Sequence, residues 1–290
     1  MRVMVTGGSG HIGRIVLSRL QAEHDVLNVD RVPHPGDWSG VTRLLDLTER
    51  GALDALPGPF DAIVHLAAIP NPTVGTWDEV MRVNMVGTYN VLQYAVEHGV
   101  PRVVFGSSES ASGWGIHGRW YRPDYLPIDE KHRSLPSEVY SYTKAFGDQL
   151  CQGFSREHDL QTICLRYAFV TYQANYAGFL ALLRTGAPRD APGATYAWVD
   201  VRDVAGAVER ALHMAMAPAQ SETFYITARE HYGTLPTLEM IGRNWGDEIT
   251  VDREYYQDNP FGSLFDIRKA ETLLQWHPEW TTARLLATEA

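Results

Sequence analysis

Thr6-Gly7-Gly8-Ser9-Gly10-His11-Ile12-Gly13 is the stretch on which the fold turns. It follows a short apolar run, Arg2–Thr6. It opens the segment His11–Ala22, in which Ile12, Ile15, Val16 and Leu20 recur on one helical face. A strand, a glycine turn and a helix in that order have a physical use. Gly7 permits the tight turn, Gly10 lets backbone approach a pyrophosphate, and Gly13 lets helix and strand pack closely. The helix N-terminus then offers free N–H groups and the positive end of its dipole to phosphate. Asp30 ends a second apolar run, Asp25–Asp30, 17 residues past Gly13. That is near the place where an acidic residue meets the adenosine ribose. Together these residues predict a dinucleotide site. A carboxylate at Asp30 accepts ribose hydroxyls and repels a 2′-phosphate, so NAD is expected in preference to NADP. Arg31 beside it is able to meet such a phosphate, although its simplest reading is a solvated charge.

Outward from the loop, strand-like and helix-like stretches alternate. Thr42–Asp46, Asp61–Leu66, Pro101–Ser107 and Gln161–Tyr167 read as further strands. Trp77–His98 and Ser137–His158 read as long helices, the first capped by Gly99. The alternation predicts an α/β fold, a Rossmann-type doubly wound parallel sheet with helices on both faces. The pattern changes after Tyr167. A Pro/Gly loop at 186–193 leads to a strand near Tyr196–Asp200 and a helix near Arg202–Ala217, followed by short elements. The expected organisation is an NAD-binding domain over 1–168, to which 196–217 returns. A smaller C-terminal substrate-binding lobe is expected from 169–195 and 218–290.

Composition narrows the function. With 290 residues the chain is near the upper limit for one core. Its 25 Lys+Arg against 35 Asp+Glu give a net charge of −10, which argues against nucleic-acid binding. An apolar fraction of 44% is too high for a disordered chain. Two cysteines, Cys151 and Cys164, cannot build a disulfide framework or a structural zinc site. Histidine and acidic residues show no ligand spacing, so no metal is expected. Apolar stretches such as Ala62–Ile69 are far shorter than a membrane span. Arg2–Thr6 already reads as structure, which leaves no place for a signal peptide. The expectation is a soluble cytoplasmic protein. The sequence has no Gly-x-Ser-x-Gly elbow of a hydrolase.

Tyr140-Ser141-Tyr142-Thr143-Lys144 falls inside a predicted helix, where Tyr140 and Lys144 share a face. The chain has 14 tyrosines and only three lysines, Lys131, Lys144 and Lys269, so chance would supply on the order of 0.1 such pairs. The spacing suits proton transfer coupled to hydride transfer. A tyrosine base needs its pKa of about 10 lowered, at a cost of roughly 3–4 kcal/mol. One cation about 4 Å away supplies about 4 kcal/mol at an effective dielectric of 20, so Lys144 and an oxidised nicotinamide together are expected to suffice. Ser108, at the end of a predicted strand, is placed to hydrogen-bond the reacting oxygen.

The glycine loop, Asp30, HLAA (65–68), VNMVGTYNVL (83–92), FGSS (105–108) and Tyr140-x-x-x-Lys144 together resemble the extended short-chain dehydrogenase/reductases, the NAD-dependent epimerase/dehydratase group. WVDVRDVA (198–205) and FDIRKAETLLQWHP (265–278) match its habits as well. The resemblance implies Ser108, Tyr140 and Lys144 as the catalytic residues, with Lys144 also holding the nicotinamide ribose. It implies cofactor contacts from Gly7, Gly10, His11, Ile12, Gly13, Asp30 and Arg31. Asp46 and Leu47 would border the adenine, and Leu66, Ala67 and Ala68 would line the groove. Asn84 would sit as a polar residue near the site, and Tyr167 would start the loop beside the nicotinamide.

Departures from the group narrow the substrate. Phe169 stands where nucleotide-sugar enzymes usually carry the Asn that meets the diphosphate, and only about 25 residues separate Val170 from Tyr196. Glu109-Ser110 replaces the dehydratases' acid pair. The compact layout is closest to uronate-dehydrogenase-like members, although Ala177 falls where their carboxylate-clamping arginine is expected. The resemblance therefore implies a small hydroxylated substrate, a sugar or sugar acid, with a cofactor-retaining sugar epimerase as the alternative. Candidate substrate contacts are Ser107, Glu109, Trp114, His117, Arg119 and Arg184. The broad apolar faces of 77–98 and 137–158 leave a homodimer possible.

Overall fold

The computed structural model describes residues 1–114, 121–185 and 194–289. Seven strands form the central sheet. They are β1 (Arg2–Thr6), β2 (Asp25–Asp30), β3 (Val41–Leu44), β4 (Ala62–His65), β5 (Arg102–Ser108), β7 (Gln161–Tyr167) and β10 (Ser221–Ile226). The strand β6 (Tyr125–Leu126) pairs outside this sheet with β11 (Thr250–Val251), and β8 (Phe169–Thr171) pairs with β9 (Trp198–Asp200). In the main sheet the order is β10-β7-β5-β4-β1-β2-β3, and every pairing is parallel. The chain runs one way from β1 to β3 and the other way from β4 to β10. The carboxyl ends of β1 and β4 therefore flank the switch point where such sheets bind ligands.

The side-chain alternation of β1 shows why the sheet has two cores. Val3 and Val5 face a cluster with Val16 and Leu17 of α1 (His11–Leu20) and Val204 and Val208 of α6 (Val201–His213). Met4 faces the opposite cluster, with Val91 and Ala95 of α3 (Gly87–Glu97) and Cys151 of α4 (Val139–Glu157). A third cluster, with Trp114, Ile128, Tyr225, Tyr256 and Phe265 in it, lies beyond the strand ends. Asp203 of α6 fastens the late segment, accepting from the Glu279 and Trp280 backbone N–H groups at 2.9 Å each. Its own carbonyl accepts from Trp276 Nε1 at 2.9 Å. The motifs WVDVRDVA and FDIRKAETLLQWHP thus meet at one residue.

The expected helix over 77–98 runs without interruption to Glu97 but is not a uniform α-helix. α2 (Trp77–Met81) passes through a wider π turn, Arg82–Val86, before α3 begins. The cause is tertiary. Asn84 in that turn accepts from the Ile69 N–H at 2.7 Å and donates to Thr143 Oγ1 at 3.1 Å, so its side chain holds the loop after β4 against α4. Such insertions favour functional sites. The remaining helices are α5 (Gln173–Thr185), α7 (Thr237–Trp245) and α8 (Thr282–Thr288). No helix among the described residues is long and apolar enough to cross a membrane.

Candidate active site

Gly7 adopts a left-handed φ of +76°, and a Cβ there would lie 2.5 Å from the Ala67 backbone nitrogen. A Cβ on Gly13 would lie 2.2 Å from the Gly7 carbonyl. The loop therefore packs backbone on backbone, with Gly10 N–H donating to Gly7 O at 3.1 Å and Gly10 serving as the N-cap of α1. A groove of about 330 Å³ runs from this loop. It is walled by Gly7, Gly10, His11, Ile12, Gly13, Asp30, Arg31, Asp46, Leu47, Leu66, Ala67 and Ala68, all anticipated as cofactor contacts. The close-packed glycines and the carboxylate at the end of β2 fit a dinucleotide.

The carboxylates of the groove are fixed by their neighbours. Asp30 Oδ2 accepts from Ser9 N–H at 2.9 Å and its Oδ1 from Arg31 N–H at 2.7 Å. Asp46 Oδ1 accepts from the backbone N–H and the hydroxyl of Thr48 at 2.9 and 2.8 Å. Burial would raise the Asp46 pKa, but these bonds and the charges of Arg82 and Arg31 hold it low. His65, at the end of β4, is buried between Thr6 Oγ1 (2.7 Å) and Thr88 Oγ1 (3.0 Å). Burial, aided by the charge of Lys144, depresses its pKa to about 3.

A second cavity of about 250 Å³ adjoins the groove and shares Ile12, Pro70 and Tyr172 with it. Ser107, Ser108, Glu109, Tyr140 and Tyr167 line it. The registers of the sheet bring them together, because Ser108 pairs with Tyr167 at the carboxyl ends of β5 and β7. Tyr140 arrives from the first turn of α4, which Glu138 caps by accepting from the Tyr140 and Ser141 N–H groups at 2.7 Å each. Ser108 and Tyr140 line the same cavity, and Ser108 draws the Tyr140 phenol down against the effect of burial.

Lys144 lies beneath them, buried, with Nζ 5.7 Å from the Tyr140 ring centre. It donates to the Gly106 carbonyl at 2.7 Å. Burial lowers its pKa to about 8, opposed by Asp148. The tyrosine acidity expected from the sequence rests on Lys144 together with an oxidised nicotinamide, and the protein's own groups supply only part of it. Burial pushes the Tyr140 phenol above its ordinary value, Ser108 pulls it down, and Lys144 is too far and too committed to Gly106 to reverse the balance alone.

Other anticipated residues lie elsewhere. Asn84 lines neither cavity, its amide being spent on Ile69 and Thr143. Trp114 is buried in the third core cluster, 4.4 Å from the Tyr121 ring, and forms no part of the cavity wall. Arg184 is exposed near the end of α5, away from both cavities. His117 and Arg119 lie outside the described residues, as does the 186–193 loop. Asp54, Glu97 and His98, distant in sequence, bring possible ligand atoms within 4.8 Å of one another on the surface. Sequence reasoning missed Tyr172, whose ring stacks on His11 at 4.4 Å where groove and cavity meet. Its place just past β8 was the available signal.

The comparisons agree with this geometry. A model of the NAD dependent epimerase/dehydratase family matches residues 3–226. L-arabinose 1-dehydrogenase (NAD(P)(+)) of Haloferax volcanii is 32% identical over 174 residues, covering 58% of this chain and 67% of that enzyme. Uronate dehydrogenase of Agrobacterium fabrum is 28% identical over 176 residues, covering 60% of this chain and 63% of that enzyme. A crystal structure of a short-chain dehydrogenase/reductase superfamily protein from Agrobacterium tumefaciens, with bound NAD, superposes with a TM-score of 0.74 at 23% identity. That superposition covers 99% of this chain and 95% of the other. The chain belongs to the NAD dependent epimerase/dehydratase family.

Proposed function

We propose that the protein is an oxidoreductase that takes hydride from a hydroxyl-bearing small molecule of the sugar class, with Ser108, Tyr140 and Lys144 as its catalytic residues. The observation that carries this reading is that Ser108 and Tyr140 line one cavity, which shares Ile12, Pro70 and Tyr172 with the glycine-lined groove. Gly7, Gly10, Gly13 and Asp30 would hold the dinucleotide, and the tied Asp30 carboxylate favours NAD over NADP. When bound, it supplies the acceptor for the hydride leaving the carbinol carbon.

The protein's own work is on the proton. Tyr140 takes the proton of the substrate hydroxyl, and Ser108 donates to the oxygen that becomes negative. Lys144 Nζ has three hydrogens, of which Gly106 O takes one, so two remain for the nicotinamide ribose. At about 250 Å³ the cavity lies below the ~300–1,000 Å³ of drug-sized pockets, which suits one sugar ring better than a nucleotide sugar.

The test is NADH formation with a panel of sugars. Tyr140→Phe is expected to lower kcat/KM by ~10²–10⁴-fold, the range for general acid–base catalysis, with NAD affinity within about threefold. Retention of most activity contradicts the assignment. The alternative in the same family, an epimerase, is distinguished by cofactor that copurifies and by sugar conversion without net NADH.

A further inference from the structure

The cavity beside Tyr140 leaves three buried oxygens without partners: Ser107 Oγ, Glu109 Oε2 and the Tyr167 hydroxyl. All three residues are at least nine-tenths buried. An unpaired buried polar group costs about 1–3 kcal/mol. Three such oxygens belong to residues that line this one cavity, where the hydroxyl groups of a substrate would be their partners.

The charge of that wall is the second observation. Among the described residues, no Lys, Arg or His lines the cavity. Arg166, the arginine that pairs with Ser107 in the sheet register, is spent on Asp148 at 2.9 Å. Lys144 is turned to the Gly106 carbonyl, and Arg184 is on the surface. Glu109 is the one ionisable carboxyl of the described wall.

We propose that the cavity takes an uncharged polyhydroxylated substrate, a free aldose in ring form, and that Glu109 is its specificity-determining residue, meeting a substrate hydroxyl through Oε2. The inference rests on the oxidoreductase reading above and names its substrate class. Burial holds the Glu109 carboxyl protonated well above the ordinary carboxylate range, and no described cation draws it back. A protonated carboxyl both donates and accepts, as a sugar hydroxyl requires. An ionised Glu109 would work against the chemistry, since its charge raises the pKa of Tyr140. A uronate or a sugar phosphate would bring its own negative charge to a wall that, among the described residues, has no compensating cation and already holds a carboxyl.

The experiment measures kcat/KM for neutral aldoses, the matching uronic acids and the matching sugar 6-phosphates. It uses the wild-type protein, Glu109→Gln and Glu109→Ala, with NAD affinity and a thermal melt for each. Neutral aldoses are expected to exceed both acidic series by about 100-fold, the scale on which one mismatched buried polar group discriminates. Glu109→Ala is expected to raise KM for the aldose about tenfold or more, with NAD affinity unchanged, and Glu109→Gln to restore most of that loss. Preference for an acidic series overturns the inference and leaves the oxidoreductase reading standing. So does an unchanged KM in Glu109→Ala. If no sugar of any charge yields NADH, the oxidoreductase reading itself fails, and this inference with it.

Discussion

Along the dinucleotide groove the acidic side chains are tied within the protein, Asp30 to Ser9 and Arg31, Asp46 to Thr48. In the adjoining cavity Ser107, Glu109 and Tyr167 keep buried oxygens that nothing satisfies. The groove is made chiefly of backbone and small side chains in one close-packed arrangement, and it is complete before a ligand arrives. The cavity is made of side chains gathered from β5, β7 and α4, and several of its buried oxygens have no partner in the protein.

The largest effect expected from breaking the first region is on stability in acid. His65 has its folded pKa depressed to about 3 against an ordinary value of 6.5. Its contribution is whole above pH 6.5 and is lost as pH falls toward 3, because only the unfolded chain takes up the proton there. Each pH unit in that window costs about 1.4 kcal/mol, so about 3 kcal/mol is gone by pH 4.5. Urea unfolding of wild type and His65→Gln across pH 4.5–7.5 is expected to show that slope in the difference between them. Parallel curves refute the assignment.

Gly13→Ala comes next. Its added Cβ would press on the Gly7 carbonyl at 2.2 Å, and both partners are backbone. Overpacking of this kind costs roughly 1–3 kcal/mol, and NAD affinity is expected to fall ~10–100-fold in a fluorescence titration. The smallest effect is at Asp30. Asp30→Ala removes the carboxylate that would repel a 2′-phosphate, and the ratio of NAD to NADP affinity is expected to fall about tenfold, near 1.4 kcal/mol. An unchanged ratio assigns the preference to other residues.

The contrast between the regions also explains what the sequence disclosed. The groove was legible because its demands are written in residue type. Only glycine adopts the +76° φ of Gly7 at ease or lets backbone approach backbone as at Gly13. A carboxylate at a strand end is a similarly local signal. The nearness of Ser108, Tyr140 and Lys144 to one another was legible through helical spacing and strand-end position.

Tertiary features were not. The π turn at Arg82–Val86 depends on where Ile69 and Thr143 lie when the chain is folded. Trp114 read as a substrate contact because aromatic side chains serve that role, but Tyr121 and the third core cluster claim it. The burial of Tyr140 and the bond from Lys144 to Gly106 are likewise invisible to spacing.

The most direct test of the central claim is a double-mutant cycle on kcat/KM with Tyr140→Phe and Ser108→Ala, at fixed saturating NAD. If the two hydroxyls move one proton as a unit, Tyr140→Phe costs ~10³-fold, Ser108→Ala ~10²-fold, and the double variant little more than Tyr140→Phe alone. Losses that multiply, or a Tyr140→Phe enzyme near wild-type rate, would contradict it.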